Sequence, residues 1–184
     1  MFISYNEACA RDCSTLEQDL VLCEKAGFDY IEIRLDMLTD YLKRHTVEEL
    51  AAFFCTSRLK PHAFNALYLY PEFLSEGDDE ARQKELLEEF RLGCEVGRAI
   101  GSHYFIIVPP LQRDPAGGPY TGSWEDTFSN CVRILKELSR RAEPYDMNLC
   151  FELVGFERSS VRSIGQADAV VRAVDRPNVG FVFD

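Results

Sequence analysis

The sequence is short of positive charge: 20 Lys and Arg stand against 31 Asp and Glu, a formal net charge of −11 over 184 residues. Such a surface repels phosphate backbones, and the basic residues form no cluster along the chain, so nucleic acid is not expected as a partner. No apolar run reaches the roughly 18 residues that a bilayer span needs. The first residues hold no basic segment leading into an apolar one, so neither a membrane span nor a secretion signal is expected. The seven cysteines (Cys9, Cys13, Cys23, Cys55, Cys94, Cys131 and Cys150) are odd in number and contain no CxxC pair. They read as reduced thiols of a cytoplasmic protein, mostly small core residues, rather than as a disulfide framework or a zinc cluster. No Gly-rich phosphate turn follows an apolar run, which removes the dinucleotide-binding fingerprint. No Ser-His-Asp or Cys-His arrangement can be drawn from the three histidines. His45 lies among Lys43 and Arg44 in a helical region, and His62 and His103 stand at the starts of apolar strands.

Short apolar runs alternate with longer amphipathic ones. The candidate strands are FISYNEA, YIEIRLD, PHAFNALYLY, HYFIIVPP, NLCFELVGF and VGFVFD. Between them, STLEQDLVLCEKAG opens with Ser14 and Glu17 at capping-box spacing and closes on Gly27. TVEELAAFFCTS repeats that signature with Thr46 and Glu49. DDEARQKELLEEFRLGCEVGRAIG stops at Gly101, a fourth helix ends before Pro144, and SIGQADAVVRAV precedes the turn signal DRPN. Alternation of this kind means an α/β fold with a parallel sheet and helices outside it. The loop-rich stretch PPLQRDPAGGPYTGS is too short to separate domains, so residues 1–184 are expected to form a single domain, with function on loops that follow strands.

The strands discriminate between an open doubly wound sheet and a (β/α)8 barrel. In YIEIRLD, Ile31, Ile33 and Leu35 share one face, and Glu32, Arg34 and Asp36 share the other. In NLCFELVGF, Leu149, Phe151 and Leu153 oppose Asn148, Cys150 and Glu152. A sheet covered by helices on both sides is nearly uniformly apolar, whereas a barrel strand can turn its polar residues toward the mouth. The expected fold is therefore a TIM-type (β/α)8 barrel. Six strands and five helices are visible where a closed barrel has eight of each over about 250 residues. The sequence is expected to cover strands one to six only, a C-terminally incomplete barrel whose sixth strand ends at Asp184.

Glu152 is the sharpest chemical candidate. An ionised carboxylate inside an apolar strand is costly unless it is paired or coordinates a metal. Asp184 repeats the pattern one βα unit later, and two carboxylates at adjacent parallel strand ends make half of an oxygen-rich metal site. Each could equally cap a helix or pair with an arginine. Glu32, Arg34 and Asp36 suit either substrate hydroxyls or an internal ion-pair network. Asn6 and Asn65, at strand ends, suit hydroxyl recognition or a turn. The aromatic group LYLYPEF reads as a packed lip at the mouth, or as the wall of a polyol pocket.

The stretches NEA, LCEKAGFDYIEIR, LKPHAFNAL, CFELVG and NVGFVFD, in that order, resemble the sugar-phosphate isomerase/epimerase superfamily, the xylose isomerase-like (β/α)8 barrels, from Ser4 to Asp184. The resemblance implies one divalent cation (Mn, Co, Mg or Zn) held by Glu, Asp, His and Glu from four strand ends. Glu152 matches the first ligand and Asp184 the second, and the remaining two would lie beyond Asp184. It also implies isomerisation or epimerisation of a small sugar or inositol-derived ketone through a cis-enediolate, with Glu152 as a catalytic acid/base, and a possible homodimer. Phe156 departs from the polar residue that the family often carries near that point. Two other readings stay open. One is a metal hydrolase like the abasic-site endonucleases that share this barrel, against which the net charge of −11 counts. The other is a non-catalytic truncated barrel with exposed sheet edges.

Overall fold

The computed structural model describes residues 1–10, 13–69, 80–112 and 118–183. The chain runs β1 (Ser4–Asn6), a 3-10 turn (Glu7–Cys9), α1 (Leu16–Ala26), β2 (Tyr30–Arg34), α2 (Leu35–Tyr41), α3 (Val47–Thr56), β3 (Lys60–Tyr68), α4 (Glu80–Ile100), β4 (Tyr104–Val108), α5 (Trp124–Ala142), a 3-10 turn (Glu143–Tyr145), β5 (Asn148–Glu152), α6 (Ile164–Val174) and β6 (Val179–Val182). The six strands form one parallel sheet in the order β1-β2-β3-β4-β5-β6. A doubly wound sheet reverses its strand order at a switch point. Here each strand pairs with the next along the chain, the order in which a TIM barrel is laid down.

The alternation read in the sequence is what separates the two faces of this sheet. Ile31 and Ile33 of β2, Phe64 and Leu67 of β3, Phe105 and Ile107 of β4, and Leu149 and Phe151 of β5 are all buried and belong to the main core, packed with side chains from the helices. Ala63, Ala66, Ile106 and Val108 form a second, smaller buried cluster with Cys150 and Val182 against it. Because successive strand residues point to opposite sides, that cluster shares the other, inner face with Glu32, Arg34 and Glu152.

Helix α4 lies close on the outer face because two of its residues lack side chains. A Cβ at Gly93 would come within 2.5 Å of the Phe105 ring, and one at Gly97 within 2.5 Å of Met147 Cε and 3.0 Å of the Phe64 ring. The helix starts follow local chemistry. Thr46 with Glu49, and Ser163 with Gln166, form reciprocal capping boxes, and Gly27 ends α1 at φ 89°.

Two expectations are corrected. The box of α1 is built one residue later than Ser14 and Glu17, by Thr15 and Gln18. Ser14 instead donates to Asp19 Oδ2 at 2.9 Å. YIEIRLD is not strand throughout: the chain turns helical at Leu35, so Asp36 stands in the first turn of α2 rather than on the polar stripe of β2. Leu35 and Leu38 are buried one helical turn apart, and that packing outweighs the strand-like alternation. Helix α2 adds a sixth α-helix to the five read from the sequence.

Candidate functional site at the C-terminal ends of the strands

In a parallel sheet all strands end on one rim, and in barrels that rim carries the chemistry. Glu152 is the last residue of β5, half-buried, in register with Val182 of β6. Burial of its neighbours Leu149 and Phe151 under the helices holds Glu152 on the inner side. Glu32 and Asn65 meet across β2 and β3, where Asn65 Nδ2 donates to Glu32 Oε1 at 2.5 Å. Arg34, at the end of β2, is beside Asn65 in register and forms a two-pronged ion pair with Asp36, its Nε 3.0 Å from Oδ1 and its Nη2 on Oδ2. The guanidinium is 20% exposed and the carboxylate 64%, so the pair spans from the inner face to solvent. Asn6 caps the turn after β1, its Oδ1 accepting from Ala8 N–H at 2.9 Å.

The structure brings three of the sequence candidates, Glu32, Arg34 and Asn65, onto one patch of the inner face. Glu152 stands two strands beyond β3, and Asp184 lies outside the described residues. Among the described residues no group of three or more His, Cys, Asp and Glu could hold a metal. Glu152 alone fits as one hard oxygen ligand at a strand end, and the described residues do not complete a set. Cys150 lies between the two regions, where burial, with Glu32's charge added, pushes its thiol up to about 11 and disfavours the thiolate.

The loops after β4 and β5 are fastened to each other. Gln112 N–H donates to Arg158 O at 2.8 Å, Tyr120 N–H to Glu157 O at 3.0 Å, and Ser160 N–H to Pro110 O at 3.1 Å. On this clamp stands Phe156, 40% exposed, with the Arg158 guanidinium 5.3 Å from its ring centre. Of the LYLYPEF lip, residues 70–73 lie outside the described residues. His62 and His103 sit at the opposite rim, where His62 lies between Tyr30 and Tyr104 at ring separations of 5.6 and 5.8 Å. His45 stacks on Tyr41 and reaches Glu17 and Glu49.

Sequence reasoning missed one pair. Glu7, just past β1, is 0% exposed, and Asp19 of α1 is 3% exposed. Glu7 Oε2 accepts from Arg34 N–H at 2.8 Å, Oε1 is buried without a donor, and Asp19's carboxyl is within hydrogen-bonding reach. Burial chiefly, and Asp19 in addition, push Glu7 up to about 8 against the pull of the Arg34 N–H. A signal was present: Asp19 lies on the apolar stripe Leu16, Leu20, Cys23 of α1.

A parallel sheet in consecutive order, with helices on one face and carboxylates at the mouth end of the other, is the architecture of a TIM-type α/β barrel. Residues 20–184 match the xylose isomerase-like TIM barrel family, and the chain belongs to it. It is 38% identical to the inosose isomerase of Halalkalibacterium halodurans and 40% identical to that of Bacillus velezensis, in each case over 100% of this chain and 62% of the relative. A crystal structure of IOLI protein with a bound zinc atom superposes with a TM-score of 0.85 at 37% identity, over 100% of this chain and 63% of that one. The chain therefore spans less than two thirds of the length of the relatives it matches.

Proposed function

We propose that the chain is the greater part of an isomerase acting on inosose or a closely similar small polyol ketone, with a divalent metal. The observation that carries this is Glu152: a half-buried carboxylate at the mouth end of an otherwise apolar β5, in a chain 37–40% identical over its whole length to inosose isomerases. The bound zinc of the similar structure supports a metal here. When bound, such an ion polarises a substrate carbonyl and its neighbouring hydroxyl. This chain's residues would do the rest. Glu152 takes or returns a proton at the carbon beside the carbonyl, and the Glu32–Asn65 pair and Arg34 read ring hydroxyls. Phe156 offers an apolar wall to the ring's C–H face. Asp184 is proposed as the second carboxylate ligand. Protonated, reduced thiols suit a cytoplasmic setting, and a homodimer fits the symmetry that such enzymes commonly adopt.

The test is an inosose isomerisation assay on a form extended to the relatives' length, with and without divalent metal. Activity that is lost on chelation and restored by metal supports the reading. Activity indifferent to chelation, or absent with inosose but present on abasic DNA, sinks it.

A further inference from the structure

The Glu7–Asp19 pair takes no part in the proposed chemistry, yet it touches the backbone of a residue that does. Two deprotonated carboxyls cannot satisfy each other, because both only accept. Glu7 is wholly enclosed, Asp19 nearly so, and they face each other with Oε1 lacking any donor. Buried polar atoms are seldom left unpaired, and one proton between the two carboxyls removes both the missing donor and the like-charge repulsion. Ser14 Oγ already donates to Asp19 Oδ2. The other titratable or charged groups facing the pair are Tyr5 of β1, Cys23 of α1 and Arg34. Tyr5 and Cys23 are pushed up and stay neutral, with burial the chief cause for each. Arg34 approaches through its backbone N–H and adds only a weak charge effect.

We propose that Glu7 is a positioning residue: a carboxyl that shares a proton with Asp19 and uses its second oxygen to anchor Arg34 N–H, fixing where the Arg34 side chain stands on the inner face. Arg34 N is the point at which β2 passes into α2, and that helix start has no side-chain cap. Glu7, reaching from the end of β1, supplies a partner there. The shared proton rests on the pair alone. The consequence for substrate rests on the proposed role of Arg34.

The test needs no activity. Unfolding of wild type and Glu7→Gln is measured between about pH 5 and pH 9, with hydrogen exchange at the Arg34 amide. A glutamine reproduces the protonated carboxyl, since its carbonyl accepts from Arg34 N–H and its amide donates to Asp19. The wild-type unfolding constant is expected to rise at least about tenfold relative to that of Glu7→Gln across this range, with Arg34 equally protected in both. In Glu7→Ala the Arg34 amide is expected to exchange at least about tenfold faster. Parallel pH curves for wild type and Glu7→Gln would overturn the shared proton, whether or not Glu7→Ala folds. Unchanged Arg34 exchange in a folded Glu7→Ala would overturn the anchoring.

Discussion

Two carboxyl groups stand at the mouth ends of parallel strands, and their surroundings are opposite. Glu7, just past the end of β1, faces Asp19 of α1 and is fully enclosed. Glu152, at the end of β5, shares the inner face with Cys150 and is only half-buried. Which side of the sheet a carboxyl takes decides its role. Toward the helices it has no water and must hold a proton or a dedicated donor, so it serves shape. Toward the mouth it stays partly open to solvent, on the side where the proposed substrate and metal would meet it.

Neighbouring residues of β5 break this comparison most sharply if it is wrong. Glu152→Gln, in a form extended to the relatives' length, is expected to lower isomerase turnover by about 10²–10⁴-fold and to shift folding stability by less than about 1 kcal/mol. One residue away on the other face, Phe151→Ala is expected to cost about 3–5 kcal/mol of stability, read by denaturant unfolding. If the two substitutions have similar profiles, the faces are not divided as described.

Glu7 gives the next effect. Its raised value means that the folded protein holds a proton the unfolded chain releases near its ordinary 4.5. Its contribution is fully present below about pH 4.5 and is lost as pH rises through about 8. The loss is on the order of 5 kcal/mol. Gly97→Ala tests the helix side at a point of pure packing. The added Cβ meets Met147 Cε, which can move, but also the Ser102 carbonyl at 3.1 Å, so a loss of about 1–3 kcal/mol is expected in thermal unfolding. The smallest effect belongs to Thr46→Ala, which removes half of the α3 capping box and is expected to cost about 1 kcal/mol.

Wherever a local signal existed, the sequence could be read. The period-two pattern of β2 and β5 correctly separated the inner from the outer face, and consecutive βα units pointed to the barrel order. Helix α2 was missed because it has no capping signature: Arg34 precedes it without a side-chain cap, and the alternation of β2 runs on through Leu35 and Asp36. The placement of Glu32 and Asn65 on the inner face was legible, but their contact spans 33 positions and depends on how β2 and β3 are registered. Asp19 was visible as a charge on an apolar helix stripe. Its partner was not, because Glu7 falls in the 3-10 turn just past a three-residue strand, where the strand period no longer places a side chain.

The division of roles between the two strand-terminal carboxyls requires that Glu152, and not Glu7, serve the metal. Calorimetric titration with zinc of wild type, Glu7→Gln and Glu152→Gln, each extended to the relatives' length, addresses it directly. Glu7→Gln is predicted to bind zinc as wild type does, and Glu152→Gln at least about tenfold more weakly. Undiminished zinc affinity in Glu152→Gln would contradict that division.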